Sequence, residues 1–535
     1  MSTNKPKITP MMAQYFSIKK NYTDALLFYR MGDFYELFFE DAIKASEALN
    51  IILTSRGKHL EQKIPMCGVP VHSANNYLLS LIKKGFKVAV CEQLENPLEA
   101  KKRGYKAIVK RDVVRVITPG TITEDSLLEA HENNFLGSLS EIRGSLALAW
   151  VDISTGDFIV TSCNKQNLKT LILRLNLKEL LVSENLIDEF NDFNIALTPI
   201  SNAIFESTGA KTQICAFYGV KTLEGFGAFS RTELSAINSI ISYLELTQKS
   251  TLPILKRPLK EVSTNALQID SFTRKNLEIV RSLSGEKDGS LLDTIDKTIT
   301  ACGARLLTSR LNNPSSNKTI IIDRLNDLEF FYEKNNDRIN LQTELRNILD
   351  IERALTRISL NRSDPRDLKA IGNSLQNCDK IYYYLNNIKP PHALSFDIKP
   401  LSGHKTLIKT IEDALREDLS NNFKDGGFIK TGYNDELDKQ RDLRDKGAKL
   451  LGSMQQKLIT LSEVSSLKIK HNNVLGYFIE IPTRHSQKML SPPLSDVFIH
   501  RQTTANSIRF TTTELGKTES NILNATSAAL NIELD

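Results

Sequence analysis

The sequence predicts a multidomain chain of mixed class, with two N-terminal α/β domains followed by a long, mainly α region that carries a β-containing insert. Three observations predict it. A chain of 535 residues exceeds what one hydrophobic core organises, and about 150 residues per domain gives about three or four domains. Short strand-like runs alternate with helical ones over the first half of the chain. Beyond Leu267, apolar residues recur three and four apart, as on one face of a helix.

In the first α/β segment the strand-like runs are Ala25 to Arg30, Phe34 to Phe39, Lys87 to Val90 and Val113 to Ile117, with a helical run from Glu40 to Asn50. Thr118-Pro-Gly-Thr-Ile-Thr carries turn residues and is expected to link this domain to the next. The second domain opens on the apolar run Ser145 to Val151, a turn at Ser154-Thr155-Gly156-Asp157 and a strand from Phe158 to Thr161, and continues to about Lys249. In the helical region Leu345, Ile348, Ile351, Leu355 and Ile358 share one face, and Pro314, Pro365 and Pro390-Pro391 interrupt the pattern. A long helix from Asn434 to Leu461 yields to strand-like segments at Leu467 to Lys470 and Val474 to Ile481. After Phe510 the helical spacing returns, with Ile522, Ala525, Ala529 and Ile532 on one face. That order describes a helical arm with a small β unit near its tip.

Composition narrows the function classes. The six cysteines, Cys67, Cys91, Cys163, Cys215, Cys302 and Cys378, form no C-x-x-C pair and stand at no zinc-ligand spacing, so most are expected to be small core residues in a reducing compartment. No stretch approaches the ~20 apolar residues that cross a bilayer, and the N-terminus has no apolar leader. The reading is therefore cytoplasmic, with no membrane partner. The net charge of +6 is only mildly basic. Its distribution says more, because Lys101, Lys102, Arg103, Lys106, Lys110, Arg111 and Arg115 are concentrated in one stretch, with Lys83, Lys84 and Lys87 upstream. A solvated surface is the commoner fate of such a run.

The motif Arg30-Met-Gly-Asp-Phe-Tyr-Glu-Leu-Phe38 places Gly32 and Asp33 in a tight turn and Phe34 and Glu36 on one face of the strand that follows. An aromatic ring at a duplex minor groove wedges between base steps, and a stacked base is worth ~1–3 kcal/mol. A carboxylate beside it is repelled by phosphates unless it accepts a hydrogen bond from a base edge. A short F-x-E match is usually no more than a core aromatic and a surface acid.

Longer stretches carry a resemblance. Leu27-Phe-Tyr-Arg-Met-Gly-Asp-Phe-Tyr-Glu-Leu-Phe, Leu53-Thr-Ser-Arg-Gly, Ile64-Pro-Met-Cys-Gly-Val-Pro-Val-His-Ser, Val88-Ala-Val-Cys-Glu-Gln and Arg115-Val-Ile-Thr-Pro-Gly-Thr resemble, in wording and order, the mismatch-binding domain of the bacterial MutS family. Trp150-Val-Asp-Ile-Ser-Thr-Gly-Asp-Phe resembles its connector domain. Asp270-Ser-Phe-Thr-Arg-Lys-Asn-Leu-Glu-Ile resembles its lever core, and Gly289-Ser-Leu-Leu-Asp, Gly303-Ala-Arg-Leu-Leu and Gly432-Tyr-Asn-Asp-Glu-Leu-Asp are further matches to the family.

The resemblance implies a mismatch-binding domain over 1–116, a ribonuclease-H-like connector over 122–250 and lever helices over 260–442. It also implies an inserted clamp over 443–503 and a returning helix over 504–535. It implies that Phe34 stacks on a mispaired or unpaired base and Glu36 hydrogen-bonds it, in a duplex whose weakened stacking kinks cheaply. It places Met66 and His72 near the DNA backbone or groove, and Lys468, Lys470, Arg501, Asn506 and Arg509 in a clamp on the duplex backbone. Family members often carry a Lys where this sequence has Ala505, so clamp affinity is expected to be lower here. Complete family members add a C-terminal ATPase using ATP and Mg, which self-associates and recruits a MutL-type partner. The sequence reading places that domain outside these residues and expects no catalysis from them. The alternatives are a relative that binds duplex without sensing mismatches, and a truncated or split-gene fragment that binds DNA without repair.

Two catalytic readings are weighed on the residues alone. Gly516-Lys517-Thr518 matches the end of a phosphate-binding loop, but Thr511 stands where its first glycine is required. Thr511 with Glu514 reads instead as a helix capping box. Asp152 is a lone carboxylate with no converging partners at identifiable spacing, which favours a structural role over metal-dependent hydrolysis.

Overall fold

The computed structural model describes residues 9–59, 62–95, 100, 103–104, 107–190, 195–249, 251–261, 266–419, 423, 426–472 and 475–535. They fall into two units, one of residues 1–363 with 373–403 and the other of 364–372 with 404–535.

The first unit holds two six-stranded sheets. In the N-terminal one, β1 (Leu26–Met31), β2 (Phe34–Phe38), β3 (Thr54–His59), β4 (Gln62–Pro70), β5 (Val88–Gln93) and β6 (Arg111–Ile117) run in the order β3-β4-β2-β1-β5-β6. Only β1 and β5 pair in parallel. The helices Phe39–Leu49 and Ala74–Lys83 pack Ala42, Ala45, Leu78 and Leu81 on one sheet face, and the helix Pro10–Lys19 covers the other with Met12, Tyr15 and Ile18. Four of the predicted strands are present. The strands β3 and β4, which carry Arg56 and Gly68, have no comparable strand-like run in the sequence.

The second sheet consists of β7 (Phe135–Ile142), β8 (Ser145–Asp152), β9 (Asp157–Cys163), β10 (Glu179–Ser183), β11 (Ala196–Ile200) and β12 (Leu259–Lys260) in the order β11-β10-β7-β8-β9-β12. The strands β7, β8 and β9 form an antiparallel meander, while β10 and β11 add in parallel. The long helix Arg231–Gln248, opened by a capping box of Ser230 and Glu233, lies on one face.

The expected link at Thr118 to Thr123 is not a solvated turn. Thr118, Thr121 and Thr123 are buried, and the segment is tied to Glu179, which is itself fully buried. Glu179 accepts from the Thr118 hydroxyl, the Gly120 N–H at 2.9 Å, Thr198 Oγ1 at 2.6 Å and the Tyr243 hydroxyl at 2.9 Å. Burial and this carboxylate together hold the Tyr243 phenol well above its ordinary range. A Cβ on Gly120 would stand 2.9 Å from Glu179 Oε2, so glycine is what permits the approach.

The helical region breaks where the periodicity predicted continuity. Leu345 ends the helix Asn335–Leu345, and Ile351 begins the helix Ile351–Ser359. Asp350 causes the break. It caps the second helix through the Arg353 N–H at 3.3 Å and takes a two-point pair from the buried Arg305, at 2.6 and 3.1 Å. That pairing fixes Asp350 outside helical geometry, whatever the apolar spacing.

In the second unit, β13 (Lys468–Asn472), β14 (Gly476–Pro482), β15 (Ile499–Thr503) and β16 (Ser507–Thr511) form an antiparallel sheet in the order β13-β14-β16-β15. The sheet follows the helix Asp435–Ser462, capped by Asn434, and precedes the helix Thr513–Leu534. Both helices pack together over Met454, Leu458, Leu515 and Ile522. Ile522, Ala525 and Ala529 are buried as predicted, but the helix also buries Glu533 beside the half-buried Ile532. Glu533 pairs with Arg441 at 2.8 Å and accepts from the Gly427 and Phe428 N–H groups.

Candidate nucleic-acid interface

In the first unit, the strands β1 and β2 are joined by the two-residue loop Gly32-Asp33, with Met31 opposite Phe34. Gly32 has φ +63°, and Asp33 needs no left-handed conformation, which is the pattern of a type II′ hairpin turn. Alternation then divides β2. Tyr35 and Leu37 enter the core, while Phe34 remains 47% exposed at the end of the strand. Glu36 lies on the same face as Phe34. Across the pair, Pro70 stands opposite Phe34 and Gly68 opposite Glu36. The missing side chain of Gly68 leaves room beside both, since a Cβ there would meet Glu36 Cγ at 3.8 Å and Phe34 Cδ1 at 4.0 Å.

The Glu36 carboxylate is not bare. Arg56, on β3, donates through Nη1 to both carboxylate oxygens, at 2.6 Å to Oε1. The pair is partly exposed, so it neutralises locally while contributing little stability, ~0–1 kcal/mol. Arg56 lies within Leu53-Thr-Ser-Arg-Gly, but nothing local in the sequence marks it as the partner of Glu36. The strand order alone brings them together.

Beneath this surface Tyr35 donates its hydroxyl to Glu92, Arg30 reaches the same carboxylate at 3.5 Å, and the Arg30 guanidinium lies 5.5 Å from the Tyr35 ring centroid. Burial first and Glu92 second push the Tyr35 phenol above its usual range. Met66 lies on the same sheet face, opposite Phe38, half-buried against the cluster around Tyr15 and Phe38. His72 is exposed in the short turn Val71–Ser73, next to Val71, whose N–H bonds Asp33 at 2.9 Å. The hairpin loop, Phe34 and the turn at His72 are thus adjoining parts of one surface.

Among the described residues, the basic stretch does not form a single patch. Arg115 is half-buried against Glu124, and desolvation, with Arg362 nearby, lowers its guanidinium to about 9. Arg111 packs over the Tyr29 ring at 5.1 Å and donates to the Arg30 carbonyl at 2.7 Å. Arg103 pairs with Glu95, Lys87 with Asp24 and Lys83 with Glu129, and Lys84 donates to the Ala48 carbonyl. Lys101, Lys102 and Lys106 lie outside the described residues, as does Val474.

In the second unit, Lys468, Lys470 and Arg509 fall on one face of the sheet. The register places Lys468 opposite Glu480, Lys470 opposite Phe478, and Glu480 opposite Arg509. The alternate residues Ile479, Ile481, Ile508 and Phe510 form the core. Glu480 pairs with Lys470 at 2.5 Å and Arg509 at 3.4 Å, and these contacts, that to Lys470 above all, hold its carboxyl below the usual range. Arg509 also covers the Phe478 ring at 4.6 Å. Asn506, inside the stretch 504–535 read as a returning helix, precedes the helix, which begins at Thr513. Arg501 occupies an irregularity on β15 and is exposed, and Asn506 lies in the turn between β15 and β16.

Neither catalytic reading has the geometry it needs. Gly516, Lys517 and Thr518 lie in the helix Thr513–Leu534, with the Gly516 N–H bonded to the Thr512 carbonyl at 3.0 Å, so the backbone is not a phosphate-cradling loop. Thr512, not Thr511, caps this helix by accepting from the Leu515 N–H at 3.1 Å, because Thr511 is committed to β16. Asp152 is fully buried and accepts from the Asn134 N–H, the Ser154 N–H and the Ser154 hydroxyl. It shapes the β8–β9 turn. Cys67, Cys91 and Cys378 are buried, Cys163 and Cys215 are half-buried and Cys302 is exposed. No metal-binding group of His, Cys, Asp and Glu occurs among the described residues, and none of their helices is long and apolar enough to cross a membrane.

Three family models match the chain: MutS domain I over residues 9–126, MutS domain II over 134–256 and MutS domain III over 272–529. The chain belongs to the MutS family. The DNA mismatch repair protein MutS of Ruegeria pomeroyi is 51% identical over 531 residues, covering 98% of this chain and 60% of the relative. That of Roseobacter denitrificans is 51% identical over 530 residues and that of Paracoccus denitrificans 49% over 527, each with the same coverage. The chain therefore spans 60% of the length of these relatives.

Proposed function

We propose that this MutS-family chain recognises mispaired or looped-out bases in duplex DNA, with Phe34 as the wedge and Glu36 as the carboxylate that accepts a hydrogen bond from the displaced base. The observation that carries the reading is an aromatic side chain 47% exposed at the end of an otherwise well-packed strand, with a carboxylate on the same face. A buried Phe would have been core. The wedge is paid for by a duplex already weakened in stacking, so deformability supplies the discrimination. Fluorescence anisotropy on two duplexes differing by one G·T mismatch or one unpaired T tests it. Preferential binding of the heteroduplex is expected, and equal affinity for both sinks the reading.

Arg56 then acts as a counter-charge that keeps Glu36 from repelling phosphates. Glu36→Gln should raise matched-duplex affinity and so reduce discrimination, whereas Arg56→Ala should lower matched-duplex affinity by up to about fivefold, the range of an exposed pair. The double variant decides the mechanism. Coupling requires the Arg56 effect to shrink when Glu36 is already Gln, and strictly additive effects would mean that Arg56 acts on DNA directly.

The sheet of the second unit reads as the clamp on the duplex backbone, the helices around it as the lever, and the residues 122–250, with their meander and two parallel additions, as the ribonuclease-H-like connector. The domain limits 1–116, 260–442, 443–503 and 504–535 belong to the same reading. Lys468→Ala with Lys470→Ala should weaken binding to matched and mismatched duplexes by the same factor and flatten the salt dependence, because phosphate contacts carry no sequence information. Loss of mismatch binding alone would refute the clamp. Lys470 starts in a pair with Glu480, so Lys468 should account for the larger share. Within the whole protein we assign the residues here to recognition. ATP and Mg chemistry, self-association and capture of a MutL-type partner are assigned to the complete family, acting at the nucleoid. Steady-state phosphate release by this chain should match a buffer control, since Gly516 to Thr518 are committed to a helix.

A further inference from the structure

The first unit contains a cavity of about 480 Å³, within the ~300–1,000 Å³ that small organic ligands occupy. It has two unlike walls. Phe135, Trp150, Ile279 and Leu292 make one side apolar, while Arg174, Arg274 and Lys275 bring positive charge.

The basic wall is short of acceptors. Arg174 donates to Asn313 at 2.9 Å and pairs with Glu261 at 2.6 Å. Arg274 has one hydrogen bond, to Asn312 Oδ1 at 3.3 Å, and no carboxylate within ion-pair distance among the described residues. The Nε of each guanidinium is buried without an acceptor among those residues, although a guanidinium carries five donors and an unsatisfied buried donor is costly. The other carboxylate on the wall, Glu132, is engaged by Lys178 at 3.0 Å and Arg281 at 3.4 Å, and Lys287 is engaged by Asp296. Burial and the neighbouring Arg174 lower the Arg274 guanidinium from its ordinary value, and Glu261, the carboxylate between these elements, is paired with Arg174. Two cationic forks beside an apolar wall suit one ligand chemistry.

We propose that this cavity binds a small organic oxyanion, a phosphate-type group joined to an apolar or aromatic body, with Arg174 and Arg274 holding the oxyanion and the wall around Trp150 covering the remainder. Planar guanidinium forks match the oxygens of such a group. A nucleoside monophosphate has this chemistry. The inference stands independently of the DNA reading, because it uses none of the residues assigned to the duplex.

Trp150 is the sole tryptophan of the chain and lines the site, so it reports occupancy. The test titrates the whole 535-residue chain with 8-anilinonaphthalene-1-sulfonate, an aromatic oxyanion, and follows energy transfer from Trp150. Saturable transfer is expected, with competition by inorganic phosphate and weaker binding of the neutral N-phenyl-1-naphthylamine. Arg274→Gln should raise Kd at least tenfold. Leu283→Glu, which puts a negative charge on an exposed residue of the lining, should abolish binding. Circular dichroism checks each fold, and if Arg274→Gln unfolds the chain, Leu283→Glu decides alone. The proposal is overturned by absent or non-saturable transfer, by equal binding of the neutral dye, or by a folded Leu283→Glu chain that binds like wild type.

Discussion

Phe34→Ala should abolish most of the preference for mismatched over matched duplex while leaving matched-duplex affinity nearly unchanged. The expected loss is ~1–3 kcal/mol, the value of one base stacked on an aromatic side chain, or roughly fivefold to 150-fold in heteroduplex Kd. The asymmetry follows from position. Phe34 lies at the exposed end of β2, whose core is supplied by Tyr35, Leu37 and Phe38, so truncation removes the wedge without opening a cavity. Anisotropy titrations with the two duplexes read the difference directly, and circular dichroism shows whether the domain is intact. A heteroduplex preference that survives in a folded Phe34→Ala chain, or that disappears only with the fold, would make Phe34 structural and withdraw its role in recognition. Phe34→Leu is a useful companion, because it keeps an apolar wedge without the ring and should recover only part of the preference.

The second large effect is on stability. Glu179→Ala should destabilise the second sheet by on the order of 3 kcal/mol or more, since it removes the acceptor of four buried donors at once and each orphaned donor costs about 1–3 kcal/mol. Thr118 retains a contact with Thr121 at 3.0 Å, which keeps the total below a simple sum. Trp150 shares a core cluster with Leu180 and Val182, the neighbours of Glu179 along β10, so its fluorescence follows this unfolding in urea. The midpoint should fall by about 1.5 M or more for an m-value of about 2 kcal/mol/M. Glu179→Gln retains an acceptor oxygen and should lose less than half as much. A Glu179→Ala midpoint equal to wild type would mean that the donors find other partners and that the link at Thr118 to Thr123 does not depend on this carboxylate.

The sequence by itself determined those features that depend on neighbours along the chain. Alternation placed Phe34 and Glu36 together, Gly32 marked the turn before them, and a 3.6-residue period marked the long helices beginning after Asn434 and after Phe510. Motif order indicated the MutS family, whose domain models match most of the chain. Only the tertiary structure decided where charge goes. A periodicity contains no information about partners distant in sequence, so the basic stretch gave no sign that Arg115 pairs with Glu124 or that Arg111 lies over Tyr29. Nor did it show that Arg305 would fix Asp350 and divide an apparently continuous helix. Glu36 was legible as a carboxylate on the right face, but its neutralisation by Arg56 required two further strands to assemble beside β2. The same holds for Arg501 and Asn506, since a bulge and a hairpin turn are set by cross-strand register and not by the pattern of either strand alone. Hydrophobic burial is encoded by local spacing, whereas ion pairing in low dielectric is resolved only when the fold brings distant side chains within a few ångströms.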